Sequence, residues 1–130
     1  MTRTSACEPG LRITHRRYVS YAHAHYAGNL VDGAYTLGLF GDVATEMCIV
    51  TDEDEGLFAS YADVQFRAPV RAGDVLEVSA VLVEVGRRSR VIDFTAAVVA
   101  RGDGSGGSGA RVLAEPFVAT TARGTCVVPG

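Results

Sequence analysis

The sequence predicts an α+β domain in which a curved antiparallel sheet wraps one long central helix. Three observations predict it. Residues 33–50 form an apolar segment of about five helical turns. Leu37, Leu39, Phe40, Val43, Met47 and Ile49 spread almost all round it, the pattern of a helix enclosed by protein rather than laid on a surface. The stretches that follow alternate or run apolar as strands do. Mostly short turns join them, which makes neighbours antiparallel.

Composition narrows the class. A chain of 130 residues, 48% of them hydrophobic, is large enough for one globular core. A net charge of -3 gives no reason to expect nucleic acid or a membrane surface as partner. All 12 basic residues are arginine, as codon bias in a GC-rich genome produces. Schiff-base and lysine-base mechanisms are thereby removed. Cys7, Cys48 and Cys126 are odd in number and scattered, so neither a disulfide framework nor a metal site is expected. Cys48 reads as a small core residue. The start is polar, without an apolar signal region, and no run of about 18 apolar residues exists to cross a membrane. A reducing cytoplasm is the expected compartment, and no cofactor is called for.

In chain order, residues 1–10 read as a flexible tail, 11–122 as the domain and 123–130 as a second tail. Residues 11–19 alternate, with Leu11, Ile13, His15, Arg17 and Val19 on one side, as a first strand. Residues 20–30, rich in Gly, Asn and His, form a loop that feeds the helix, and Asp32 is suited to cap it. Gly38 and Gly41 lower helix propensity, so packing must hold the segment. Asp42 and Glu46 lie four apart, on one face of it. Buried carboxylates need either partners or a use. The acids at 52–55 read as a solvated turn beyond the helix, because negative charge disfavours a helix C-terminus. Strands follow at 57–68, 75–85, 91–100 and 112–122. In the first of these, Phe58, Ala62, Val64, Phe66 and Ala68 share a face. The second is apolar at nearly every position, as a strand covered on both sides is. Residues 101–111 form a Gly-Ser hairpin loop, and Pro116 marks an edge or bulge in the last strand. A sheet wrapping one apolar helix is the hotdog architecture.

Four stretches carry a family resemblance: HYAGNLVDG at 25–33, GDVATE at 41–46, DEGLF at 54–58 and APVRAGD at 68–74. Together, in order and at natural spacing, they resemble the 3-aminobutyryl-CoA ammonia-lyase branch of hotdog enzymes, over roughly residues 11–94. Arg88-Ser89-Arg90 stands where that branch has a Thr-Ser-Arg-like stretch. The resemblance implies a thioester substrate, on CoA or an acyl carrier protein, with chemistry at C2 and C3 of the acyl group. It implies a homodimer, or a higher homo-oligomer, with active sites at the subunit interface. It also covers related dual-function thioesterases of natural-product pathways, which add an amine such as glycine to an enoyl thioester and then hydrolyse it.

The residues meet that chemistry as follows. Amine addition passes through an enolate-like state whose oxygen needs donors, and the N–H groups of Gly33 and Ala34 at a helix start suit that. Gly33 equally reads as a tight helix entry. His25, in the loop beside the helix, is a candidate proton carrier or a loop histidine bonded to backbone. His23 has a weaker case, and His15 reads as structural. Asp42 and Glu46 suit an ammonium or general-base role, or pairing with arginines across an interface. Asn29 orients the thioester or His25, or simply makes a turn. Asp32 is first a cap and second a polar contact. Arg87, Arg88 and Arg90 suit CoA phosphates, or a solvated turn. The competing functions are a plain acyl thioesterase and a non-catalytic acyl-binding protein. A dehydratase fits less well, because the sequence lacks a hydratase-type Asp-x-x-x-x-His pairing in an appropriate loop.

Overall fold

The computed structural model describes residues 3–104 and 106–130. Met1 and Thr2 of the expected tail, and Ser105 of the Gly-Ser loop, lie outside the described residues. Strand β1 (Arg12–Tyr18) leads through two single-turn 3-10 segments into helix α1 (Gly33–Asp52). Strands β2 (Leu57–Phe66), β3 (Val75–Val85), β4 (Ser89–Gly102) and β5 (Ala110–Val127) follow. They form one sheet in the order β1-β3-β4-β5-β2, antiparallel throughout. This is the hotdog arrangement that the order of apolar segments predicts.

The core lies between α1 and one face of the sheet. Phe40, Val43 and Met47 on α1 meet Leu76, Val78 and Leu82 from β3 and Ile92, Phe94 and Val98 from β4, all buried. Each such side chain contributes about 1.5–3 kcal/mol on burial. Phe40 stacks on Phe94 at 5.0 Å between ring centroids, and Phe58 lies against the same ring at 5.8 Å. The sheet does not enclose the helix on every side. Ala34, Gly38, Asp42, Glu46 and Ile49, spaced one turn apart, form an open stripe in the single chain.

Three strand expectations are corrected. β3 is second in the sheet and alternates between buried and half-buried residues, because Glu77 and Ser79 share its outer face. In β2, register shifts at 58/60 and 62/65, with Asp63 at φ 53°, break the period of two. Phe58, Tyr61 and Val64, three apart, therefore point inward, while Ala62 and Phe66 are exposed. β5 runs past 122 to Val127, and Val128 N–H donates to Arg88 O at 2.9 Å, so this end is not a free tail. Pro116 does lie at an irregular stretch, where β4 and β5 slip between pairs Val98↔Phe117 and Ala100↔Val112.

The N-terminal segment is docked too. Thr4 donates its N–H to Thr51 O and its hydroxyl to Val50 O, each at 2.7 Å, and Cys7 is buried. These bonds satisfy carbonyls that the last helical turn leaves without partners. Asp52 also corrects the expected solvated turn, for it is the last residue of α1 and only 2% exposed. The unfavourable charge is answered by Arg90, whose Nε and terminal nitrogen donate to the two carboxylate oxygens at 2.8 and 2.7 Å. The remaining nitrogen donates to Gly86 O and Ser89 O. Burial pushes the Asp52 carboxyl up, but hydrogen bonds from Arg90 and Thr51 outweigh it and hold the group below its ordinary value of 3.8.

Asp52→Asn strands the guanidinium of Arg90 and should destabilise the fold by about 3–5 kcal/mol, read from urea unfolding at pH 7. A depressed carboxyl contributes fully above its unfolded value and loses that contribution as pH falls through the folded one. The gap between wild type and Asp52→Asn should therefore stay constant down to the ordinary value of 3.8 and close below it.

Candidate active site

A cavity of about 470 Å³ opens at the N-terminus of α1. Leu30–Gly33 and Thr36 form one wall, Phe66–Val70 another, with Tyr26 and Thr120 at its sides. Asp32 caps the helix as expected, its Oδ1 accepting from Tyr35 N–H at 3.0 Å. Gly33 and Ala34, the first helical residues, have no intrahelical carbonyl for their N–H groups. A side chain on Gly33 would sit 2.5 Å from the ring of Phe66. Glycine here lets the aromatic ring lie directly on the helix entry.

The opposite wall is built by the 68–74 stretch. Val31 N–H donates to Val70 O and Ala72 N–H to Asn29 O, so the loop before the helix and this turn are stitched together. Gly73 takes φ 93°, and a Cβ there would meet the Tyr21 hydroxyl at 2.7 Å. Asp74 is fully buried and accepts two 2.8 Å bonds from Arg101, whose guanidinium also lies 5.1 Å from the Phe117 ring centroid. The same guanidinium donates to Pro69 O, fixing the cavity wall.

His25 lies outside the cavity lining, with Nδ1 3.7 Å from Asp32 Oδ2, half exposed and edge-on to Tyr26. Asp32 thus faces the histidine with one oxygen and the helix with the other. Asn29 takes a left-handed φ of 62° and is a turn residue whose side chain does not line the cavity. Arg90 is committed to Asp52, which removes it as a phosphate ligand. Arg88 donates to Val128 O, and Arg87 is exposed on the same turn, at the far end of α1 from the cavity.

Asp42 and Glu46 are exposed rather than buried, at 59% and 51% of their side chains. Their partners come from β1: His15 Nε2 lies 2.7 Å from Glu46 Oε1, and Arg17 lies 3.5 Å from Asp42. Tyr35, two turns nearer the helix start than Asp42, has a raised pKa because burial disfavours its anion, with Arg17 pulling the other way. His23 packs on that ring at 4.6 Å. Tyr61, pushed up to about 12 by burial and by the nearby Cys126, donates to Leu37 O at 2.6 Å and ties β2 to α1. The sequence alone did not mark His15 and Arg17 as partners of the carboxylates, nor Phe66 as the ring against the helix entry. The alternation of β1 held the signal for the first two, since it sets charged side chains on the helix-facing side.

The fold and much of the sequence recur in known proteins. The model of the Thioesterase superfamily matches residues 28–105. The 3-aminobutyryl-CoA ammonia lyase of Acetoanaerobium sticklandii is 53% identical over 108 residues, 82% of this chain and 85% of that protein. The structure of beta-alanyl-CoA:ammonia lyase from Clostridium propionicum matches with a TM-score of 0.88 and 34% identity, covering 93% of this chain and 87% of that one. A hexameric hotdog fold thioesterase of Campylobacter jejuni shares the fold at TM-score 0.72 and 19% identity, over 98% of this chain and 86% of that one. With more than half its residues shared across four fifths of its length, the chain belongs to the 3-aminobutyryl-CoA ammonia-lyase family of hotdog enzymes.

Proposed function

We propose that this enzyme adds ammonia, or a small amine such as glycine, to C3 of an α,β-unsaturated acyl thioester, and catalyses the reverse elimination. The observation that carries the reading is the cavity at the free N-terminus of α1, in a chain 53% identical to an ammonia lyase. The thioester oxygen gains charge as the amine attacks C3. Donors already fixed at Gly33 and Ala34 stabilise that charge without reorganising. Phe66 and Val70 keep the reacting carbons against apolar surface, which strengthens those bonds.

A proton must also leave the amine and reach C2, and Asp42 and Glu46 are suited to move it or to hold the ammonium. At 1.5 Å per residue they lie about 14 and 20 Å along α1 from Gly33. Nine residues at about 100° each also put Asp42 on the opposite side of the helix from Gly33. C2 and C3 lie within a few ångströms of the thioester oxygen, so one chain's carboxylates cannot reach a thioester held at its own helix start. A second copy supplies them, which makes the working unit a homodimer or a larger assembly. The relative from Campylobacter jejuni is described as hexameric.

Loss of enoyl absorbance from crotonyl-CoA that depends on added ammonia or glycine, with the 3-amino product identified by mass, tests the reading. Amine-independent release of CoA thiol overturns it in favour of a plain thioesterase. The superfamily match favours that second reading, since the same helix terminus would stabilise a tetrahedral oxyanion. Running the assay with phosphopantetheine-loaded carrier protein separates the two thioester carriers.

The shared site has its own test. Gly33→Ala drives the Phe66 ring from the helix start, and Glu46→Gln removes a proton carrier from the other end. Each variant alone should lose at least about tenfold in kcat/KM, or about 1.4 kcal/mol. Co-expressed, the two should regain about a quarter of wild-type activity, because half the dimers are mixed and each holds one intact site. Mixtures no better than the single variants would put both halves of the site in one chain.

A further inference from the structure

The two ion pairs between β1 and α1 match in spacing. His15 and Arg17 are two apart on a strand, about 6.7 Å. Glu46 and Asp42 are four apart on a helix, about 6 Å. β1 runs against α1, so His15 meets Glu46 while Arg17 meets Asp42. Exposed pairs of this kind are worth about 0–1 kcal/mol each, too little for the fold to depend on them. The two rungs differ chemically. Arginine keeps a neighbouring carboxylate ionised but exchanges no proton. Histidine does both, and its 2.7 Å bond to Glu46 holds one proton that can sit on either partner.

We infer that His15 and Arg17 sort the two carboxylates, the His15–Glu46 pair handling the proton and the Arg17–Asp42 pair fixing a negative charge that holds the substrate ammonium. The inference rests on the lyase reading above. In the elimination direction Glu46 takes the proton from C2, the C–H electrons form the C2=C3 bond, and the C3–N electrons leave with ammonia. The proton passes from Glu46, directly or after resting on His15, to the ammonia, which departs as ammonium. A 3-ammonioacyl thioester thus gives an enoyl thioester and ammonium, with charge conserved. Addition is the same path reversed. His15 is a positioning residue here, since it acts through Glu46.

The charged and titratable groups around the pair are few. α1 presents Glu46, Asp42 and Tyr35, and β1 presents His15 and Arg17. The β3 side chains on the same face, Leu76, Val78 and Ala80, are apolar.

The test compares kcat and KM for ammonia addition across pH in wild type, His15→Ala, His15→Gln and Arg17→Gln, with melting temperature as the structural control. His15→Ala should lower kcat by about tenfold or more with little change in KM. His15→Gln, which keeps an N–H donor toward Glu46 but cannot exchange a proton, should recover part of kcat and change the shape of its pH profile. Arg17→Gln should raise KM for ammonia and leave the shape of the pH profile intact. A lowered melting temperature in His15→Ala with unchanged kcat and pH profile would overturn the assignment. A second measurement needs no activity: nitrogen-15 spectra of the three histidines in wild type and Glu46→Gln. The ring nitrogen resonances of His15 should change when its 2.7 Å hydrogen bond to Glu46 is lost, while those of His23 and His25 stay put. An unmoved His15 also overturns the inference. Coupling without amine addition by the wild type would sink the lyase reading and leave the proton-sharing pair standing.

Discussion

The height of α1 in the sheet decides where its N-terminus opens, and the Asp52–Arg90 pair sets that height. A carboxylate in the last turn of a helix opposes the helix dipole, and burying it adds the cost of removing it from water. Arg90 answers both with a bidentate contact at 2.7 and 2.8 Å, and spends its third nitrogen on the β3–β4 turn. Thr4 closes the neighbouring carbonyls. The helix cannot slide along its axis without uncovering a buried ion pair. At the other end the Asp32 side chain caps the Tyr35 N–H and the ring of Phe66 lies against Gly33. One end is pinned by charge and the other is left accessible to a ligand.

The parts of this arrangement that were legible in the sequence are the local ones. An apolar run with Asp32 before it predicts the helix and its cap, because both depend on residues within four positions. The APVRAGD stretch was legible only as a family signature. Its physical reason is nonlocal: Gly73 must clear the Tyr21 hydroxyl and Asp74 must meet Arg101. Arg90 shows the opposite failure. Among Arg87, Arg88 and Arg90 it looks like one cation of a solvated turn. Its strand position opposite Cys126 turns it inward, and that register is set by β5. The bulges of β2 were hidden in the same way, since alternation in sequence cannot report an inserted residue.

The carboxylates mislead for a related reason. A helix apolar almost all round suggests enclosure, and enclosure suggests buried acids. The single sheet covers only the side carrying Phe40, Val43 and Met47, so Asp42 and Glu46 face outward toward His15 and Arg17. Apolar character on the rest of the stripe, such as Ile49 at 47% exposure, is surface that the isolated chain leaves uncovered.

The glycines of α1 carry the same message. Gly33 earns its place within the chain, against Phe66. Gly38 and Gly41 do not, for a Cβ at either would meet nothing within 4 Å. Each costs about 1 kcal/mol of helix propensity relative to alanine, and no contact inside the chain offsets it. Both lie beside Asp42, on the part of the helix that a partner must approach if its bound thioester is to reach these carboxylates. Small residues let that approach be close. Close approach is what the chemistry requires, because a carboxylate moves a proton only at hydrogen-bond distance. The helix is thus less stable alone than its composition allows, in the region where the proposed reaction brings two copies together over one substrate.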